Sequence, residues 1–227
     1  MSKAAVVPLF LFLFLSGILI FSWFRFGYIY GGGDTGLPTY NPKVMAQITS
    51  NIWWDSLAPG IPVAQGLTSA PMLFLLSIPQ ALGASPVFIQ AFLFFVLLFL
   101  MGYGMYLLAL NIFGRSNFLI ALAAGVFYLF NPYMMIQIWH RFIHNSMFFV
   151  AFLPFLVMTW LWWIRKRSPS YLLLFLGVNF LAVYIFGTIA FIVTVWTLLF
   201  FLTLLESLVP WKGKEITLKI SFAFFWD

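Results

Sequence analysis

Long runs without charge constrain this chain more than any motif does. No charged residue occurs from Val6 to Phe24, nor across residues 86–110 or 147–164. A bilayer core is about 30 Å thick and takes about twenty helical residues, with every backbone polar group bonded inside its own segment. Runs of this length therefore fold as spanning helices. Composition agrees: 7% of the 227 residues are charged, 64% are hydrophobic and the mean hydropathy is +1.06, whereas about 25% of an ordinary soluble domain is charged. So little polar surface cannot cover a soluble globule. The expected fold is all-α, a polytopic transmembrane helical bundle forming a single domain over residues 1–227.

Six spans are expected: residues 6–24, 86–110, 118–130 and 147–164, then two within 171–208, a stretch too long for one crossing that breaks at Gly187-Thr188. Residues 216–226 open a partial seventh that reaches Asp227 before it is long enough to cross. The chain is accordingly expected to be the N-terminal part of a longer protein. Lys3 ahead of the first run also suits a signal peptide, but the run is long for one and no Ala-x-Ala-like cleavage site follows, so it reads as a retained anchor.

The net charge of +6 does not point to nucleic acid, because the basic residues stand in short clusters between the apolar runs. Clusters of that kind report topology, since cytoplasmic loops hold the Lys/Arg excess. With the N-terminus cytoplasmic, Lys3, Arg115, Arg165, Lys166, Arg167, Lys212, Lys214 and Lys219 fall inside, and Arg25, Lys43 and Arg141 outside. Eight against three favours this orientation in the cell membrane. Cysteine is absent, which excludes a disulfide framework, a thiolate nucleophile and a cysteine metal site.

The first external loop, residues 25–85, holds the longest polar segment, residues 25–70, and long loops on a helical scaffold are where binding and catalytic groups tend to sit. Within it, residues 71–82 (PMLFLLSIPQAL) are too short to cross, and Pro79 disfavours a continuous helix. An interfacial or re-entrant helix fits best. The loop opens with YGGGDTGLPTYNP, residues 30–42. Its glycines let the backbone approach a ligand closely, and Asp34 follows them. A carboxylate near the headgroup level suits a general base acting on a hydroxyl. Gly-Asp and Asn-Pro are also ordinary turn formers, and a capping role for Asp34 fits the same residues. Asp55, in NIWWDSLAPG, is the second acid of this loop, beside tryptophans that suit an interfacial belt.

The second external loop reads FNPYMMIQIWHRFIHNS, residues 130–146. His140 and His144, at i and i+4, are expected to share a helical face with Ile136, close to Arg141. Two histidines alone make an incomplete metal site, so none is assigned. Arg141 and an imidazole suit a lipid phosphate, to which both donate hydrogen bonds. An interfacial polar cluster fits them equally.

No Walker loop, dinucleotide fingerprint, His-Glu-x-x-His helix or Gly-x-Ser-x-Gly elbow occurs. Acids are nearly absent from the spans: Glu206 lies near a helix end, while Gln90 and Asn179 are neutral. Ion-coupled carriers generally place ionisable groups at membrane depth, which argues against a secondary transporter.

Several short features follow one another in a particular order. A single helix is followed by a loop with Gly33-Asp34-Thr35, the pair Trp54-Asp55 and the PMLFLL stretch at residues 71–76. Then come LGASP at residues 82–86, GMYLL at residues 104–108 and FNPY at residues 130–133. In that order the chain resembles, over about residues 1–165, the N-terminal region of the GT-C glycosyltransferases, especially the cell-wall arabinofuranosyltransferase group. The order carries the resemblance more than any one motif.

The resemblance implies a multi-span bundle with interfacial helices on its outer side. It also implies a polyprenyl-phosphate-linked sugar donor, a glycan or protein acceptor, and a loop acid as catalytic base. Asp34 matches that acid by position and Asp55 less closely, while His140 and Arg141 fall where donor-phosphate contacts are often found, with His144 beside them. Family members differ in metal use, so no cofactor is assigned and a divalent metal is left open. Two other classes stay open beside the transferase. One is a non-catalytic membrane subunit holding partner helices, and the other is a protein that moves a lipid or solute without chemistry.

Overall fold

The computed structural model describes residues 3–31, 39–51, 53–54, 61–62, 64–139 and 143–208. Among these are eight α-helices: α1 (Lys3–Phe24), α2 (Pro42–Thr49), α3 (Ala70–Ala81), α4 (Pro86–Phe113), α5 (Phe118–Phe130), α6 (His144–Lys166), α7 (Pro169–Leu181) and α8 (Ile189–Leu208). The expected all-α bundle is what forms. One small departure among the described residues is a two-residue antiparallel ladder, β1 (Trp53–Trp54) with β2 (Ile61–Pro62), inside the 25–85 loop. The partial seventh run lies outside the described residues.

Four helices start at a polar residue followed by proline. Asn41-Pro42 opens α2 with the Asn41 side chain accepting from the Val44 N–H, and Ser85-Pro86 opens α4 with Ser85 accepting from Phe88. Ser168-Pro169 opens α7. Asn131-Pro132 opens the turn that continues from α5 into a π-helical stretch at Met134–Trp139, with Asn131 accepting from Met134. The side chain satisfies an N–H that has no intrahelical partner, and proline gives up an N–H that would have had none. The Asn-Pro pairs, expected as turns, are therefore helix starts.

Five helical segments are long and apolar enough to cross a membrane: Val6–Phe24, Pro86–Phe113, Phe118–Ile136, His144–Lys166 and Ile189–Leu208. The protein is a multi-pass membrane protein. The remaining expected crossing, within residues 171–187, is not a single long helix. Asn145 at the start of α6 donates to Thr188 at the start of α8, 2.7 Å, and Arg165 at the end of α6 binds Glu206 at the end of α8, 2.6 Å. Tied at both ends, α6 and α8 run parallel, so residues 169–187 must return over the full height between them. They do so as α7, about 20 Å of α-helix, followed by a 3-10 stretch at Val183–Gly187, about 10 Å more. The break falls where Gly187-Thr188 predicts it.

Close helix approach centres on glycine. The Phe12 ring of α1 lies against Gly102 of α4 and Gly125 of α5, and Phe155 of α6 lies against Gly104, in each case where a Cβ would collide. Small residues allow such approach in lipid, where apolar surface alone does not hold helices together. Around this seam Leu97, Leu98, Met101, Met147 and Leu156 are buried.

The connections sort to two ends. One end carries the 25–85 loop, residues 131–143 and the 182–188 break; the other carries Gly114–Asn117 and Arg165–Ser168. In the first loop α3 forms where the short helix over residues 71–82 is expected, and α2 is an addition. Helix α2 turns Pro42, Ala46 and Thr49 inward and packs on α3. Helix α3 is continuous, with Pro79 confined to its last turn, and Gly83 beyond it takes the left-handed φ of 86°.

Candidate functional site

Helix α4 builds the loop-rich end. Gln90, fully buried in its second turn, accepts from the Tyr30 N–H at 2.7 Å and donates to the Tyr30 carbonyl at 2.6 Å. An amide side chain offers both a donor and an acceptor, so it pairs with the backbone of Tyr30 as a neighbouring strand would. The Tyr30 hydroxyl adds a bond to the Trp23 carbonyl at 2.5 Å. On the far side of the glycine-rich stretch, Gln80 of α3 accepts from the Lys43 N–H at 2.9 Å and donates to the Asn41 side chain at 2.8 Å. Two glutamines therefore hold the chain before and after residues 32–38, the segment containing Asp34. Asp34 itself, like Asp55, His140 and Arg141, lies outside the described residues.

His144 is described. It opens α6 and is completely buried, its ring 5.5 Å from that of Phe94, one turn along α4 from Gln90. Neither ring nitrogen has a hydrogen-bond partner among the described residues. Ile136 and His144 do not share one helix, because Ile143 is extended (φ −74°, ψ 107°) and stands between α6 and the π-helical stretch; His140 lies outside the described residues. From Phe94 a string of edge-on aromatic contacts runs to Phe24 at 5.9 Å and on to Tyr30 at 5.2 Å. Trp23 meets Trp139 at 5.6 Å, and the indole N–H of Trp139 is also buried without a partner. An unpaired buried polar group costs about 1–3 kcal/mol and calls for a completing partner such as a water, an ion or a ligand; Ser16, Thr39 and Asn111 carry such atoms as well.

Beside this cluster an apolar groove of about 740 Å³ runs between α3, α4, α6 and the end of α7. Leu76, Leu93, Leu97, Phe148, Phe152 and Phe180 are among its lining, which is apolar throughout. Phe148 stands one turn after His144 on α6, and Leu93 directly precedes Phe94 on α4. The groove lining on α6 therefore starts one helical turn from His144, which is not itself part of it. Among the described residues no three His, Asp or Glu side chains gather in a way that holds a metal ion.

Sequence reasoning singled out His144 but passed over Gln90 and Gln80. Gln90 was legible only as a neutral residue in a span; being a buried amide on an apolar helix was the available signal.

The fold defines a class, the multi-pass helical membrane proteins, here with an apolar groove between α3, α4, α6 and α7. Beyond that class, comparisons with protein-family models, curated proteins and solved structures find no match to this chain.

Proposed function

We propose that the protein is a membrane glycosyltransferase of GT-C type, moving a sugar from a polyprenyl-phosphate donor to an acceptor hydroxyl at the outer face of the cell membrane, with its N-terminus cytoplasmic. The observation that supports this reading best is the apolar groove whose lining on α6 starts one helical turn from buried His144, a ring with no hydrogen-bond partner among the described residues. A long isoprenoid chain needs apolar walls, and the phosphate at its head needs hydrogen-bond donors just beyond them. The acidic loop belongs to the same end through Gln90. Asp34 follows Tyr30 by four positions, and four residues of chain reach at most about 14 Å.

In this reading Asp34 accepts the proton of the acceptor hydroxyl as its oxygen bonds to the anomeric carbon. The bond from that carbon to the phosphate oxygen breaks, its electron pair stays on the phosphate, and the polyprenyl phosphate leaves. Arg141, His140 and His144 bind the developing charge, and Asp55 contacts the sugar or acceptor. The test is Asp34→Asn with a short-chain polyprenyl-phosphate glycoside as donor. Transfer is lost while the unfolding midpoint stays that of the wild type. Full transfer by the variant overturns the role of Asp34.

A further inference from the structure

The opposite end of the bundle holds a charged cleft that the transfer reaction does not use. Helix α6 ends in Arg165-Lys166-Arg167, and Arg167 adopts φ 51°, the one positive φ outside glycine among the described residues. A helix commonly ends on a left-handed residue, but the position favours glycine, since any Cβ is strained there. A long cationic side chain at such a place suggests that the side chain itself is used.

The neighbouring charges are taken up locally. Arg165 binds Glu206 of α8 through Nη2 at 2.6 Å and Nε at 3.2 Å, and the Lys166 ammonium donates to the Tyr171 hydroxyl at 2.9 Å. Arg167 meets no carboxylate among the described residues; its guanidinium stands 5.9 Å from the Trp163 ring. It lines a cleft of about 250 Å³ together with Ile164, Arg165, Thr203, Glu206 and Ser207. Two guanidinium groups face one carboxylate, leaving the cleft one positive charge. The hydroxyls are committed, since Thr203 donates to the Leu199 carbonyl and Ser207 to that of Leu204. The donors left for a ligand among the described residues are the guanidinium N–H groups of Arg167, which match phosphate geometry.

Level and surroundings narrow the ligand. Near this end Trp160 contacts Trp163, which Arg167 faces, and Trp162 contacts Tyr171; aromatic rings of this kind favour the headgroup layer. On α8 the exposed side chains of Phe200, Phe201, Leu204 and Leu208 continue from it as apolar surface. A free phosphate has no use for that surface, whereas acyl chains do. We infer that the cleft between the ends of α6 and α8 binds the phosphodiester headgroup of an anionic phospholipid, with Arg167 as the group that reads the charge.

The test uses the full chain, delipidated in neutral detergent, and measures apparent affinity by native mass spectrometry for phosphatidylglycerol, phosphatidylcholine and inorganic phosphate. Arg167→Gly keeps the left-handed turn and removes the guanidinium, so its unfolding midpoint does not fall. The wild type prefers phosphatidylglycerol to phosphatidylcholine, and Arg167→Gly weakens phosphatidylglycerol binding about five-fold, the usual effect of one basic group at a membrane surface. Arg167→Lys retains most of the affinity. Equal binding of phosphatidylglycerol by wild type and Arg167→Gly overturns the proposal, as does equal binding of the two phospholipids. Inorganic phosphate binding that is lost in Arg167→Gly, without a preference for phosphatidylglycerol, reassigns the cleft to free phosphate and overturns the lipid reading.

Discussion

Helices α4 and α8 have almost the same mean hydropathy, 2.3 and 2.2, yet 56% of the apolar window of α4 is buried and only 11% of that of α8. Apolar content sets which segments cross; it does not set which of them pack. The difference lies in the small and polar residues. Gly102 and Gly104 let rings from α1 and α6 reach the α4 backbone, and Gln90 fixes a distant loop. Helix α8 is held at its two ends and at Trp160–Thr203, 2.9 Å, and presents most of its remaining length outward.

If that contrast is right, its largest consequence falls on glycine. Gly125→Ala places a methyl against both the Phe12 ring and the Gly102 carbonyl oxygen, and backbone cannot move aside as a side-chain tip can. It costs about 1–3 kcal/mol, measured by unfolding in mixed detergent micelles. Gly177→Ala on α7 meets nothing within 4 Å and gains about 0.4–1 kcal/mol. Equal effects at the two sites break the comparison.

Next in size is Gln90→Leu, which keeps the volume of the side chain and removes its two bonds to the Tyr30 backbone, at about 1–3 kcal/mol. Hydrogen exchange at Tyr30 rises, while exchange in α8 does not change. A smaller effect follows from His144→Phe. The ring contact with Phe94 persists and an unsatisfied imidazole is removed, so stability changes by less than about 1 kcal/mol while retention of the phosphate-bearing lipid falls. A large stability loss there assigns His144 to packing alone. Smallest is Glu206→Gln, which weakens the tie between the ends of α6 and α8 by no more than about 1 kcal/mol, the ordinary scale of a pair with solvent access.

Much of the fold was legible because spanning segments depend only on local composition. The first span ends at Phe24 as expected, the second begins at Pro86, and the break before α8 falls at Gly187-Thr188. Residues 71–82 read as a short helix and form one, although Pro79 argued against continuity; near a C-terminus proline disturbs only a single turn. Helix α2 was missed because Asn41-Pro42 serves turns and helix starts equally, and its eight residues are too few for periodicity to decide. The site was less legible for a different reason. The bonds of Gln90 to Tyr30 join positions sixty residues apart, and nothing local to either residue announces them. The same holds for the burial of His144, whose expected helical partnership ended at extended Ile143.

The most direct test of the account is the identity of the lipid carried through purification. Mass spectrometry of the extract from wild-type protein should yield a polyprenyl phosphate or its glycoside. Val96→Trp, which fills the groove from a half-buried position on α4, should lose it while remaining folded. An extract containing only bulk phospholipids, or one unchanged by filling the groove, contradicts the assignment of this end of the bundle to a polyprenyl-phosphate donor.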